Sequence, residues 1–265
     1  CIFTNRSHIS IKYLETFSKM KQTCIVYYGH DLGSLRNERK YQISREISDL
    51  ESSQQEAKTE EIIWKAVDTV YYPSDFETKI VKKRMPSIKA LTLPLNIYAP
   101  TPSNYAQSIG QRHDIIFVGG FRHPPNEEAV LWFLNNCWPS IKESIPEAQF
   151  ICIGSNPTER LLKQASDNIT ITGWVPDEEL KNWYDKARLV VVPLLHGAGI
   201  KGKVIESMLH GVPLVMTSIA AEGLAGIDNC GKIADSSLEF TQMVISCYQN
   251  STELTRMSEA TFGYI

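Results

Sequence analysis

Short apolar, β-branched runs recur along this chain. Most are broken by glycine or proline and followed by a charged segment whose apolar residues fall three or four apart. The second half alternates regularly. Strands are predicted at 114–118, 149–153 and 168–172, from Leu189 to the break at Pro193, and at 213–216 and 231–234. Between them, helices are predicted at about 125–142, 158–164 and 177–186, over a segment carrying Val204, Ile205, Met208 and Leu209 on one face, and from 237 onward. The first half is less regular. Strands are expected at 23–28, 67–72 and 88–93, and Ser74 and Asp75 cap a helix over 76–83. The charged stretch 34–67 reads as one long or broken helix, with Ser52-Ser-Gln-Gln55 marking the interruption, and 9–20 is an ambiguous helix.

Repeated strand–turn–helix units of this length predict an α/β fold with parallel sheets covered by helices. Ligands in such sheets sit beyond the carboxyl ends of the strands. The turns at Gly119, Gly154, Gly173 and Gly197 would all open on that edge. Pro94 to Pro102, continuing in polar residues to Arg112, is the expected interdomain linker, giving domains at 1–107 and 108–265.

Composition narrows the classes. A chain of 265 residues is long enough for two domains, and a net charge of -3 gives no support for nucleic-acid binding. No apolar stretch approaches the roughly 18 residues that a membrane span needs. The six cysteines, Cys1, Cys24, Cys137, Cys152, Cys230 and Cys247, form no CxxC pair. Cys24 and Cys152 lie in strand-like runs and read as small buried hydrophobes, and a reducing cytoplasm is the simplest compartment. The chain opens on Cys1 with no signal-peptide pattern and reads as a fragment whose N-terminal domain is incomplete.

The most informative stretch is Leu189 to Glu206: an apolar strand, a turn containing Gly197 and Gly199, and a helix start. The first amides of a helix lack intrahelical partners and carry partial positive charge, so this arrangement suits a phosphate. Lys201 and Lys203 add full charges there, and Glu206 sits one turn further in.

Several residues beyond this stretch carry a resemblance. They are Val118-Gly-Gly, Pro124-Pro-Asn126, Trp138-Pro139, Gly173-Trp-Val, Pro193, Gly197-Ala-Gly-Ile-Lys-Gly-Lys203, Glu206, Gly211-Val-Pro213 and Glu222-Gly223. In this order and spacing they resemble glycosyltransferase family 4, the group 1 glycosyltransferases, and the branch with G-x-G-x-K-x-K-x-x-E in its nucleotide domain. The match covers about 112–265; residues 23–98 resemble the second half of such an enzyme's N-terminal domain. The resemblance implies the GT-B fold, two Rossmann-like parallel-sheet domains with the sugar nucleotide on the C-terminal one. It also implies a retaining, metal-independent transfer of sugar from a nucleoside-diphosphate sugar to an acceptor hydroxyl, in glycan or polysaccharide synthesis. No Asp-x-Asp metal motif is present, and no cofactor is expected. The acceptor would be a carbohydrate or a lipid-linked one, which leaves peripheral contact with the inner face of a membrane open.

The same resemblance assigns roles. Glu206 matches the second glutamate of the E-x7-E signature and would accept hydrogen bonds from ribose hydroxyls; the alternative is a surface carboxylate paired with Lys203. Gly197, Ala198, Gly199 and Ile200 would face the diphosphate with backbone amides. Lys203, and Lys201 unless it faces solvent, would neutralise the leaving group. Gly119, Gly120 and Arg122 lie where relatives contact phosphate, Arg122 being equally readable as a surface residue. Trp174 and Val175 fall where the base packs, or Trp174 is core. Ala198 occupies the position of the signature's first glutamate, so a side chain that often contacts the sugar is missing; His196 and His210 are the nearby candidates to compensate. On the acceptor side, His30, next to Asp31, is the candidate base or hydroxyl-positioning group.

Three rivals remain at this level. A nicotinamide oxidoreductase would need a G-x-G-x-x-G after the first strand of either half, and none is present. A sugar-nucleotide epimerase would need its own carboxylate set. A non-catalytic nucleotide-sugar-binding protein fits Ala198 and an incomplete first domain.

Overall fold

The computed structural model describes residues 1–20, 22–94 and 104–265. Residues 95–103 of the expected linker lie outside the described residues. The chain forms two compact units. The first comprises Cys1–Ile97 with His196–Ile200 and Glu222–Ala225; the second comprises Tyr98–Leu195, Lys201–Ala221 and Gly226–Ile265.

The first unit holds a parallel sheet ordered β1-β2-β3-β4, from Ile2–Asn5, Ile25–Tyr28, Thr69–Tyr72 and Ala90–Thr92. Strand β1 lies ahead of the ambiguous helix at 9–20, in residues for which the sequence suggested no element. The helical region is divided into α1 (Ser7–Ser10), a single tight turn, and α2 (Leu14–Ser18). The long charged stretch is indeed broken, but not at Ser52–Gln55. Helix α3 (Gly33–Ser44) stops at Arg45, whose φ of 59° is left-handed, and α4 (Ile47–Lys65) runs through the serines. Ser52 donates its hydroxyl to the Ser48 carbonyl and Ser53 donates to the Ser34 carbonyl, so these residues serve helix and packing rather than a break. Helix α5 (Asp75–Arg84) is capped by Ser74, whose hydroxyl oxygen accepts from the Glu77 amide. The core packs Tyr27, Trp64, Val70 and Tyr72 between sheet and helices.

The second unit starts with a single helical turn, α6 (Tyr105–Ser108), and a parallel six-stranded sheet follows. Its elements are β5 (Asp114–Val118), α7 (Pro124–Asn136), α8 (Trp138–Ser144), β6 (Gln149–Ile153), α9 (Glu159–Leu162), β7 (Ile169–Gly173) and α10 (Asp177–Lys186). They continue as β8 (Ala187–Val192), α11 (Gly202–Leu209), β9 (Leu214–Met216), α12 (Ser218–Ala221), β10 (Gly231–Ile233), α13 (Ser237–Gln249) and α14 (Ser251–Tyr264). The expected helix over 125–142 is interrupted at Cys137, because Pro139 supplies no amide to continue the ladder. Helix α12 had no signal in the sequence.

Strand order is β10-β9-β8-β5-β6-β7. The chain therefore builds outward from β5 through β6 and β7, then returns to β5's other side with β8. Between β5 and β8 the winding reverses, and in an open α/β sheet that reversal leaves a crevice at the carboxyl ends of the two strands. The strands themselves are buried on both faces: Ile115, Ile116, Phe117, Val190 and Val191 are all at most 1% exposed. This rigid floor fixes the segments that leave β5 and β8.

Candidate functional site

The segment leaving β5 is Gly119-Gly120-Phe121. The Gly119 amide donates to the Ile153 carbonyl at 2.9 Å, and the Phe121 amide donates to the Ser155 carbonyl at 2.9 Å. What Gly119 contributes is space: a Cβ there would lie 2.9 Å from Asn126 Nδ2 and 3.0 Å from Lys203 Nζ. Arg122 and Gly120 are exposed.

Lys203 lies in the first turn of α11 and reaches inward. The residue as a whole is partly buried, and its ammonium stands 4.8 Å from the centroid of the Phe117 ring, itself fully buried, and donates to Asn126 Oδ1. The desolvation cost pushes the Lys203 pKa down to about 7, with Lys201 adding a like charge and Cys152 and Glu206 opposing the shift. Asn126 is missing from the functional residues that sequence reasoning singles out, although it belongs to the quoted Pro124-Pro-Asn126. It is 5% exposed and its Nδ2 donates to the Gly120 carbonyl at 2.7 Å.

One turn beyond Lys203, Glu206 is half-buried, and burial followed by the charge of Asp177 raises its pKa. Tyr184, from α10, is fully buried beside Glu206 and Ser207, its hydroxyl without a well-formed hydrogen bond among the described residues. His210 stacks flat on the Tyr184 ring, at 4.3 Å between centroids and 7° between planes. The sequence gives no sign of Tyr184, because it comes from a different helix, 22 positions before Glu206. Trp174, after β7, is 73% exposed rather than core, and Val175 is partly exposed.

Gly119, Lys203 and Glu206 thus share the crevice edge of the second unit, with Asn126 and Tyr184 behind them. Lys201 is the N-cap of α11, partly buried and outside the helix proper. Residues Gly197, Ala198, Gly199 and Ile200 pack with the first unit. Arg39 donates to the Gly197 carbonyl at 2.7 Å and makes a two-pronged ion pair with Glu222. Gly199 has a φ of +73°, and a Cβ there would lie 2.7 Å from the His30 carbonyl oxygen. His196 is buried in the same unit.

His30 is exposed after β2, its ring edge-on to Tyr28 at 5.5 Å. The neighbouring Asp31 carboxylate is taken by Arg36 rather than by the histidine. No helix among the described residues is long and apolar enough to cross a membrane.

Comparisons with known proteins agree with this architecture. The chain is 27% identical over 187 residues to an uncharacterised 44.6 kDa protein in the cps region of Klebsiella pneumoniae, covering 67% of this chain and 48% of that protein. It therefore spans about half the length of that relative. Among solved structures, sucrose-phosphate synthase from Thermosynechococcus elongatus matches 99% of this chain with 68% of its own, at a TM-score of 0.74 and 17% identity. HepE from Anabaena, in complex with UDP and glucose, matches 99% of this chain with 72% of its own, at a TM-score of 0.72 and 12% identity. A UDP-forming trehalose-phosphate synthase from Burkholderia xenovorans gives a TM-score of 0.73 at 11% identity, over 99% of this chain and 68% of its own. At such identities these likenesses speak for the fold, which is GT-B. The family described as Glycosyl transferases group 1 matches residues 112–250, over half the chain, and the chain belongs to that family.

Proposed function

We propose that this chain binds a nucleoside-diphosphate sugar on its second unit and transfers the sugar to an acceptor hydroxyl in polysaccharide synthesis. The observation that carries the reading is the Lys203 ammonium, held out of water at the β5–β8 crevice with Glu206 one turn away. A desolvated cation is poorly placed on its own and well placed against a diphosphate. Negative charge growing on the leaving group is stabilised most where the cation is preset and water is excluded. Glu206, in the same crevice, is the partner for ribose hydroxyls, with Tyr184 and His210 bracing it.

The remaining roles follow the family pattern. The branch with G-x-G-x-K-x-K-x-x-E supplies the turn Gly197-Ala-Gly-Ile200 for the diphosphate, Lys201 as an auxiliary charge, and Gly120 and Arg122 as further phosphate contacts. Exposed Trp174, with Val175, offers a flat surface for the base. His30 keeps a place on the acceptor side, where a retaining reaction lets the departing phosphate take the acceptor proton. Metal independence belongs to the same reading, since Lys203 supplies the charge that a divalent ion would bring. The first unit serves the acceptor and the second the donor; the boundary expected at 107 falls earlier, since Tyr105 belongs to the second unit and donates its hydroxyl to the Arg188 carbonyl. A location in the cytoplasm, or at the inner face of its membrane when the acceptor is lipid-linked, agrees with six free cysteines. Complexes of HepE with UDP-glucose and the gene neighbourhood of the Klebsiella relative support a nucleotide-sugar donor and a polysaccharide product.

Titration with UDP, GDP, NAD and their sugar derivatives tests the reading, followed by assay of sugar release or transfer from whichever binds. Binding of a nucleoside-diphosphate sugar with turnover supports transfer. Binding without turnover favours a non-catalytic binder, for which Ala198 in place of the signature's first glutamate is the supporting feature. Preference for NAD would overturn both.

A further inference from the structure

We propose that Asn126 is a positioning residue for Lys203, holding the ammonium at the carboxyl end of β5 ready for an anion. The orientation of its amide is dictated by its neighbours. The Gly120 carbonyl can only accept, so Nδ2 must face it, at 2.7 Å. Oδ1 is thereby turned toward Lys203 Nζ, which as an ammonium can only donate. A buried amide locked at one end presents a fixed acceptor at the other. The Lys203 head is then confined between this oxygen and the face of the Phe117 ring.

Space confirms the confinement. Gly119 sits where a side chain would meet both the Asn126 amide, at 2.9 Å, and the Lys203 ammonium, at 3.0 Å. The first glycine of the turn therefore makes room for this pair. Asn126 itself is tied to the start of α7, its backbone amide donating to the His123 carbonyl at 3.0 Å. The charged and titratable groups around Lys203 are Lys201 and Glu206 on either side of it in sequence and Cys152 on β6. None is drawn to the ammonium by a hydrogen bond as Asn126 is. The neutral amide leaves the cation's charge free for a ligand, whereas a carboxylate in its place would neutralise it.

The role at the donor rests on the function proposed above, but the pairing can be tested without any donor. Lysine labelled with ¹³C at Cε reports the titration of Lys203 by NMR, its signal assigned by loss in Lys203→Met. In Asn126→Asp the titration midpoint should rise by at least one pH unit, because an opposite charge at hydrogen-bond distance favours the ammonium. An unmoved midpoint overturns the pairing. For the donor, affinity for UDP-glucose or whichever nucleotide sugar binds should fall about tenfold in Asn126→Leu and no further when Lys203→Met is already present. Equal loss in both backgrounds would make Asn126 merely structural and overturn the proposal. If no nucleotide sugar binds the parent protein while the NMR midpoint still moves, the donor reading fails and the Asn126–Lys203 pairing stands.

Discussion

Lys203 is the residue at which fold and function pull in opposite directions. Burial over Phe117 strips its ammonium of water and drives its pKa to about 7, so at neutral pH the free protein holds it only part-charged. A bound diphosphate would favour the charged form and lift that pKa. The consequence for pH has a definite sign. Affinity for a nucleotide sugar, whose diphosphate stays fully ionised through neutrality, should be greatest below pH 7. It should then decline, by at most tenfold per pH unit, as pH rises from the free toward the bound pKa. Calorimetry between pH 6 and 9 measures this; a flat profile would remove Lys203 as the phosphate cation. Glu206→Ala should weaken nucleoside diphosphate binding by about 10- to 100-fold, the usual cost of losing hydrogen bonds to a charged group. Unchanged affinity would return Glu206 to a surface partner of Lys203.

At the scale of elements, the breaks in helices are where sequence and structure part. Strands such as Ile25–Tyr28 and Leu189–Val192 are legible because β-branched and aromatic runs leave few alternatives. The end of α3 is not, since Arg45 adopts a left-handed backbone that only glycine or asparagine signals in advance. Arg45→Gly should therefore stabilise the protein, by roughly 0.5–1 kcal/mol, because the strained φ then carries no Cβ. Loss of the Ser74 cap at α5 should cost about 1 kcal/mol in Ser74→Ala. Thermal denaturation of the two variants beside the parent checks both signs. In the candidate site the same division holds. Lys203 and Glu206 stand in one readable strand–turn–helix segment. Asn126 and Tyr184 reach them from α7 and α10, and only the packed sheet reveals that those helices meet α11's residues.

At the scale of the whole molecule, the decisive feature is the order of strands in the second unit. Helix and strand periodicity predicts a parallel sheet but not the reversal between β5 and β8, because strand order depends on which neighbours the chain returns to. That reversal explains why Gly119–Asn126 and Lys201–Glu206, joined by a hydrogen bond between residues 77 positions apart, converge on one edge. It also yields a spatial prediction: a donor should protect those two segments together. Hydrogen exchange measured by mass spectrometry, with and without a saturating nucleoside-diphosphate sugar, tests this most directly. The account predicts slowed exchange over 119–126 and 201–210 in the parent, and weaker protection at the same ligand concentration in Glu206→Ala. Binding that leaves both segments unprotected would contradict it.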